Sequence, residues 1–210
     1  MKHFSIFLLI LIFANAANAQ INAVTETGDK VILYDDNTWA YAAPDTTIND
    51  TIAVNPTVFT KNEKADFLLK STRNKSGVWL DSKEWKFENS KVNPQAEYQI
   101  FHKSGNVYAL LIPEEVYIPL TTLRDVVIQN TRAIADEFTL VHEEYRTVNG
   151  MEVLCLQFNA KAQGMNFSYM GYYFSNESGT TQLLTYTYEN LFDKYKDKCE
   201  ELLNGLTEIK

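Results

Sequence analysis

Few residues in this 210-residue chain have the types and spacing to do chemistry. Of three histidines, one lies at position 3 and the others are His102 and His142. His142 opens the run His142-Glu143-Glu144. Strand neighbours alternate faces, so His142 and Glu144 share one and would need ligands from a second strand to hold a metal; a solvated strand edge is the simpler reading. His102 closes an alternating run and reads as a surface residue. Cys155 lies mid-strand in an apolar run, where a thiol is inert, so a Cys155–His142 nucleophile is not expected. Glu114-Glu115 and Glu143-Glu144 are carboxylate pairs of the kind glycoside hydrolysis uses, against which stands the reading of a charged rim. The chain has no H-E-x-x-H, no paired C-x-x-C, no G-x-S-x-G, no S-x-x-K and no P-loop. No catalytic residue, cofactor or metal ligand is assigned.

The aromatic load is more informative. Phe167, Tyr169 and Tyr173 line one face of a strand, and Tyr172 and Phe174 line the other. Tyrosine has an apolar body and a polar tip. Tyr169, Tyr172 and Tyr173 are therefore candidates for a surface that binds sugars or peptides, with sheet–helix core as the competing reading.

What must position these residues begins with an export signal. Lys2 precedes an apolar run from Phe4 to Phe13, and Ala17-Asn18-Ala19 forms a small-x-small site, so cleavage is expected between Ala19 and Gln20. The run is too short to span a bilayer as helix, and no later segment approaches that length. Removing Lys2 leaves 18 basic and 27 acidic side chains, net −9, which disfavours nucleic acid and anionic lipid. The expected address is periplasmic or secreted.

The chain then divides into a β-hairpin module (20–43), a linker (44–57) and an α+β domain (58–210). In the hairpin, Asn37 sits where a positive φ is expected. Two prolines and several threonines mark the linker as an exposed tether. Strands are expected over Tyr98–His102 and Val107–Ile112, and a helix from a Thr122 cap to about Phe138, burying Leu123, Val127, Ile134 and Phe138. A four-strand meander follows, with turns at Asn149-Gly150, Gln163-Gly164 and Ser178-Gly179. A last helix, about Glu189 to Asn204, is stopped by Gly205. Strand 151–160 is apolar on both faces, so the sheet is expected to be covered on both sides at its centre. The segment 59–95 is the least legible.

The pieces EYQIFHK, VYALLIPEEV, TLRDVVIQNTRAIADEF, RTVNGMEVLCLQF, NFSYMGYYFS and TTQLLTYTYENLF, in that order, resemble the PsbP/Mog1-like α/β/α sandwich. The resemblance implies an accessory or binding protein for a larger assembly. Separately, AVTETGDKVILYDDNTWAYA resembles an N-terminal segment of exported Bacteroidota proteins, in which a glycine usually stands at the place of Asn37.

The expected function is an exported, non-enzymatic binding or accessory module whose partner is an envelope protein or a glycan. An envelope hydrolase using a carboxylate pair and a divalent-cation binder are the alternatives. Two modifications are expected of such a protein. Thr46 and Thr51 resemble the Asp-Ser/Thr-small-or-aliphatic acceptors of Bacteroidota O-glycosylation, or occur by chance in a threonine-rich linker. A disulfide between Cys155 and Cys199 requires both to project into the same layer with Cα atoms within about 7 Å, and two buried free thiols are the competing reading.

Overall fold

The computed structural model describes residues 21–25, 30–34, 36–42 and 52–209. The expected export signal at 1–19, the expected Ala19–Gln20 cleavage site, Thr46 and Thr51 lie outside them. The N-terminal module is an antiparallel sheet of β1 (Ile21–Val24), β2 (Lys30–Leu33) and β3 (Trp39–Tyr41). Asn37 takes a φ of 63° in the turn between β2 and β3, a conformation its short polar side chain tolerates.

The centre is an eight-stranded sheet built from β4 (Val54–Phe59), β7 (Trp85–Asn89), β8 (Tyr98–His102), β9 (Tyr108–Glu114), β10 (Glu137–Val148), β11 (Met151–Ala162), β12 (Met165–Asn176) and β13 (Gly179–Tyr188). Their order is β4-β10-β11-β12-β13-β9-β8-β7. Every pairing is antiparallel except β4 with β10, which is parallel. Residues 54–57, expected in the linker, thus belong to the domain. Their strand has Pro56, which cannot donate and so suits a sheet edge. The segment that resisted reading supplies β5 (Phe67–Lys70) and β6 (Ser76–Leu80). These join β14 (Leu206–Glu208) in a small sheet ordered β14-β6-β5.

The turn chemistry explains the meander. Asn149-Gly150 and Gln163-Gly164 both adopt positive φ at both central positions, the type I′ arrangement whose twist matches paired strands. The first helix differs from expectation. α1 spans Leu120–Ile134, with Pro119 at its N-cap and no side-chain cap, so Thr122 lies inside it. Ile134 is 86% exposed, and Phe138 belongs to β10. A 3-10 turn at Glu189–Leu191 leads into α2 (Phe192–Leu203). Gly205 does not end α2 through a left-handed cap. It sits there because any Cβ would lie 2.0 Å from the Trp79 carbonyl oxygen.

The fold is β-rich, with two cores on opposite faces of the main sheet. One contains Val153, Cys155, Met170, Tyr172 and Leu183 with Phe192, Cys199, Leu202 and Leu203 of α2 and Val78, Leu80 and Leu206 of the small sheet. The other contains Leu154, Leu156, Phe158 and Tyr173 with Leu123 of α1, and Val24 packs against it. Burial on both sides is why β11 reads as a continuous apolar run. Among the described residues, no helix is long and apolar enough to cross a membrane.

Candidate functional site

Strand alternation separates the residues singled out in the sequence. Glu143 points to the α1 side, where Arg124 of α1 donates from Nε and Nη2 to its two carboxylate oxygens. Glu144 points to the α2 side, where it accepts from Arg146 Nε and Asn55 Nδ2, with His142 Nε2 at 3.3 Å. The two carboxylates cannot face each other across one cleft, so they do not form the hydrolase pair. Burial alone would raise Glu144, but the bonds from Asn55 and Arg146 hold it below the usual carboxylate range. Burial raises Glu114, opposed by Arg73, while Glu115 is exposed. Among the described residues, no three or more His, Cys, Asp or Glu side chains converge as a metal would require.

Arg146 organises that side. It is 7% exposed, lies over the Phe59 ring, and donates from Nη1 to the Tyr172 hydroxyl at 2.8 Å and to Glu200 at 3.3 Å. The Tyr172 hydroxyl in turn donates to Asn204 Oδ1 at 2.9 Å. One guanidinium thus ties β4, β10, β12 and α2 together.

His102 is not a surface residue. It is 6% exposed, packed edge-on against Trp85 and beside Tyr195. Ser104 Oγ lies 2.8 Å from its Nδ1 and Glu84 Oε2 lies 3.2 Å from its Nε2. Hydroxyl, imidazole and carboxylate in line is the connectivity of an activated nucleophile. Here, however, the imidazole is sealed under two rings. Ser104 Oγ also accepts from the Asn106 N–H, and Asn106 Nδ2 donates to the Tyr195 hydroxyl. The constellation latches the β8–β9 turn to α2. Its sequence signal, a serine two residues after a strand-end histidine, is too common to single out.

Cys155 and Cys199 lie in the same core, both fully buried and both free thiols. The conditional disulfide is not present, although the shared layer it required is. Burial pushes the Cys155 thiol up to about 12 and Cys199 to about 11, which keeps both protonated and inert.

The three candidate tyrosines also part company. Tyr172 and Tyr173 are 0% and 1% exposed, one in each core. They build the interior and offer no binding surface, because a layer lies over each face of β12 at that point. Tyr169 sits farther along, at the edge of the layer formed by α1, and belongs to a line of rings that crosses the sheet. Phe158 stacks on Tyr169 at 4.9 Å between centroids, Tyr169 meets Tyr186 at 5.8 Å, and Tyr186 stacks on Tyr108 at 5.5 Å. Tyr108 contacts Phe101 edge-on, and Phe167 stacks on Tyr188 at 5.1 Å. The strand registers place Tyr169, Tyr186 and Tyr108 directly opposite one another. Strands about 4.8 Å apart bring such rings into contact. α1 packs on β10, β11 and β12. Beyond it Tyr108, Phe101, Tyr186 and Phe167 are half-buried and Tyr188 is 45% exposed. This stripe is the candidate site. Sequence alternation assigns each ring to its face but not to the uncovered half of it.

Comparison with known proteins places the fold and the family. Solved structures similar to the chain include PsbP (CyanoP) from Synechocystis sp. PCC 6803, 14% identical with a TM-score of 0.50, covering 68% of this chain and 91% of that one. A Pseudomonas aeruginosa protein of unknown function is 7% identical with a TM-score of 0.46, covering 69% and 97%. LpqN, involved in cell envelope biogenesis of Mycobacterium tuberculosis, is 11% identical with a TM-score of 0.39, covering 72% and 82%. The likeness to PsbP shows a PsbP-like fold. No curated protein sequence matches the chain. Residues 2–107, 106 of the 210, match the family described as protein of unknown function DUF3157, and the chain belongs to that family.

Proposed function

We propose that this protein is an exported, non-enzymatic binding or accessory module of the periplasm or cell surface. The observation that carries the reading is the aromatic stripe Phe101–Tyr108–Tyr186 with Phe167 and Tyr188, partly exposed beyond α1. Clustered rings with polar tips, left partly open on a folded surface, are what recognition surfaces are made of. The PsbP-like fold supports an accessory role, as the sequence resemblance implied. In this reading residues 1–19 are removed between Ala19 and Gln20. The module 20–43 and a tether ending before Val54 precede an α/β/α sandwich, with α1 on one face of the sheet and α2 on the other. Thr46 and Thr51 on the tether are O-glycosylation acceptors.

The test uses the mature chain, residues 20–210, as bait on envelope extract, beside a Tyr108→Ser/Tyr186→Ser variant. The reading expects a component retained by the wild type and lost from the folded variant. Equal retention by both, or none by either, overturns the stripe as the site. Intact mass of the exported protein tests the address: a chain still carrying Phe4–Phe13 contradicts it.

A further inference from the structure

Among the described residues the main sheet ends in β4 on one side and β7 on the other, and the two edges are built differently. β4 carries Pro56, whose missing N–H blunts an edge. β7 has no proline, and its Lys86, Phe87, Glu88 and Asn89 are exposed. The hydrogen bonds at its ends show which backbone groups face out. The Lys103 N–H donates to the Glu84 carbonyl at 2.8 Å, and the Ser90 N–H donates to the Glu97 carbonyl at 3.0 Å. These pairs extend the β7–β8 register at its two ends. Every second pair of an antiparallel ladder is hydrogen-bonded. Lys86 and Glu88 therefore bond to β8, while Trp85, Phe87 and Asn89 turn their backbone groups to the open side. The Trp85 N–H donates to the Asp81 carbonyl at 2.9 Å. The N–H and carbonyl of Phe87 meet no other backbone among the described residues.

The side chains of this edge complement themselves. Lys86 and Glu88 flank Phe87 and point to the face of the aromatic stripe, with Lys86 opposite Phe101. Glu88 accepts from the neutral Gln99 amide and lies 3.8 Å from Lys91, an exposed contact too loose to neutralise it. On the other face Phe87 stacks on Phe67 of β5 at 5.4 Å. Those rings stay 39% and 41% exposed, since no strand lies beyond β7 to cover them. We infer that β7 is the edge by which two copies of this chain pair, antiparallel, about a two-fold axis at Phe87. In that register Phe87 of each copy exchanges both backbone bonds with Phe87 of the other, and each Asn89 N–H meets a Trp85 carbonyl. Lys86 of each copy then lies opposite Glu88 of the other, as an isologous contact requires. Opposite charges facing across strands stabilise a sheet, and like charges oppose it. Registers centred on Lys86 or on Glu88 set that residue against itself, so charge selects the Phe87 centre. A foreign strand would gain the backbone bonds without this symmetric match, which is why a second copy is the occupant. The pairing puts both aromatic stripes on one face of a continuous sheet. It goes beyond the binding-module reading and does not depend on it.

The test is sedimentation equilibrium of the mature chain, residues 20–210. An edge of this size is a small interface, so the dimer dissociates at a concentration on the order of 100 µM or below, well above the range of large interfaces. Lys86→Glu alone and Glu88→Lys alone each weaken pairing at least tenfold, because both symmetric pairs turn from attraction to repulsion. An equal mixture of these two variants pairs again, as a heterodimer. Lys86→Glu/Glu88→Lys in one chain restores self-association to within severalfold of wild type. Both positions are exposed, and unchanged melting temperatures separate lost pairing from lost fold. The inference is overturned if the wild type stays monomeric to millimolar concentration, if the single variants pair as the wild type does, or if the mixture or the double variant fails to pair. A monomeric chain that cross-links through Lys86 only to a different envelope polypeptide overturns the second copy as occupant.

Discussion

Replacing Asn149 tests how the meander is fastened to both ends of the domain. Asn149 occupies the Asn-Gly turn between β10 and β11 with φ 49°. Its Oδ1 accepts from the Lys61 N–H at 2.9 Å, and its Nδ2 donates to the carbonyls of Asn204 and Leu206 at 2.8 and 2.7 Å. One side chain therefore joins the residues after β4 to the segment linking α2 and β14. Three hydrogen bonds at about 1 kcal/mol each give about 3 kcal/mol. Placing an alanine in the left-handed region adds about 1 kcal/mol more. Asn149→Ala should thus cost about 4 kcal/mol, and Asn149→Gly, which loses the bonds but not the backbone freedom, about 3 kcal/mol. Asn149→Asp keeps the bond from Lys61 but aims an oxygen at two carbonyls, so it should fall with the alanine variant. Urea unfolding followed by tryptophan fluorescence, with Trp79 and Trp85 both in the affected region, gives the differences from midpoints at constant slope. A loss under about 1.5 kcal/mol for Asn149→Ala would refute the tie, since that is the scale of a single bond. A glycine variant no better than alanine would refute the backbone part.

Gly205→Ala should destabilise by about 3 kcal/mol or more, because a Cβ 2.0 Å from the Trp79 oxygen forces apart the chains joined by the Trp79 N–H to Gly205 carbonyl bond; the same unfolding curves check it. Arg146→Leu should cost about 3 kcal/mol by stranding Glu144, and adding Glu144→Gln should recover part of that loss in a double-mutant cycle. Burial alone would raise Glu97, but bonds from Thr72 and Ser71 leave it below its ordinary value. Its folded pKa being the lower, its contribution is present above the unfolded carboxylate value and is lost as pH falls through the folded one. Glu97→Gln should therefore be less stable at neutral pH yet show a shallower decline between about pH 5 and pH 3; a parallel decline in both proteins counts against the assignment. Unreduced protein should show no thiol reactive to Ellman reagent when folded and two per chain when unfolded; none on unfolding would establish the disulfide.

Local backbone chemistry was readable without a structure. Asn149-Gly150 pairs the two residues that accept positive φ most cheaply, and Gln163-Gly164 carries the glycine such a turn needs, so the meander and its strand ends were legible. Period-two alternation put Cys155 with Met151 and Val153, and Tyr169 with Tyr173, on their correct faces, because alternation is a property of one strand. The segment 59–95 was the least legible for the opposite reason, although the extended stretches at Gly77–Leu80 and Glu84–Phe87 could be read and correspond to β6 and β7. β6 pairs with β14, and Leu206 lies opposite Val78, so that strand is completed by residues about 130 positions away. β4 likewise finds a parallel partner in β10 that no local pattern announces.

The candidate site divides along the same line. Residue type and spacing determined that this chain carries an unusual number of rings on one strand pair, and which way each ring points. Only the tertiary structure decided which rings are used for what. Tyr172 and Tyr173 lie under α2 and α1 and are core, while Tyr186 and Tyr188, of the same chemistry, lie beyond the end of α1's cover. His102 shows the same division, since its burial depends on α2 laying Tyr195 over it from more than 90 residues away. Which way a side chain points is set by its own strand; whether water reaches it is set by what packs above, and that layer comes from distant sequence.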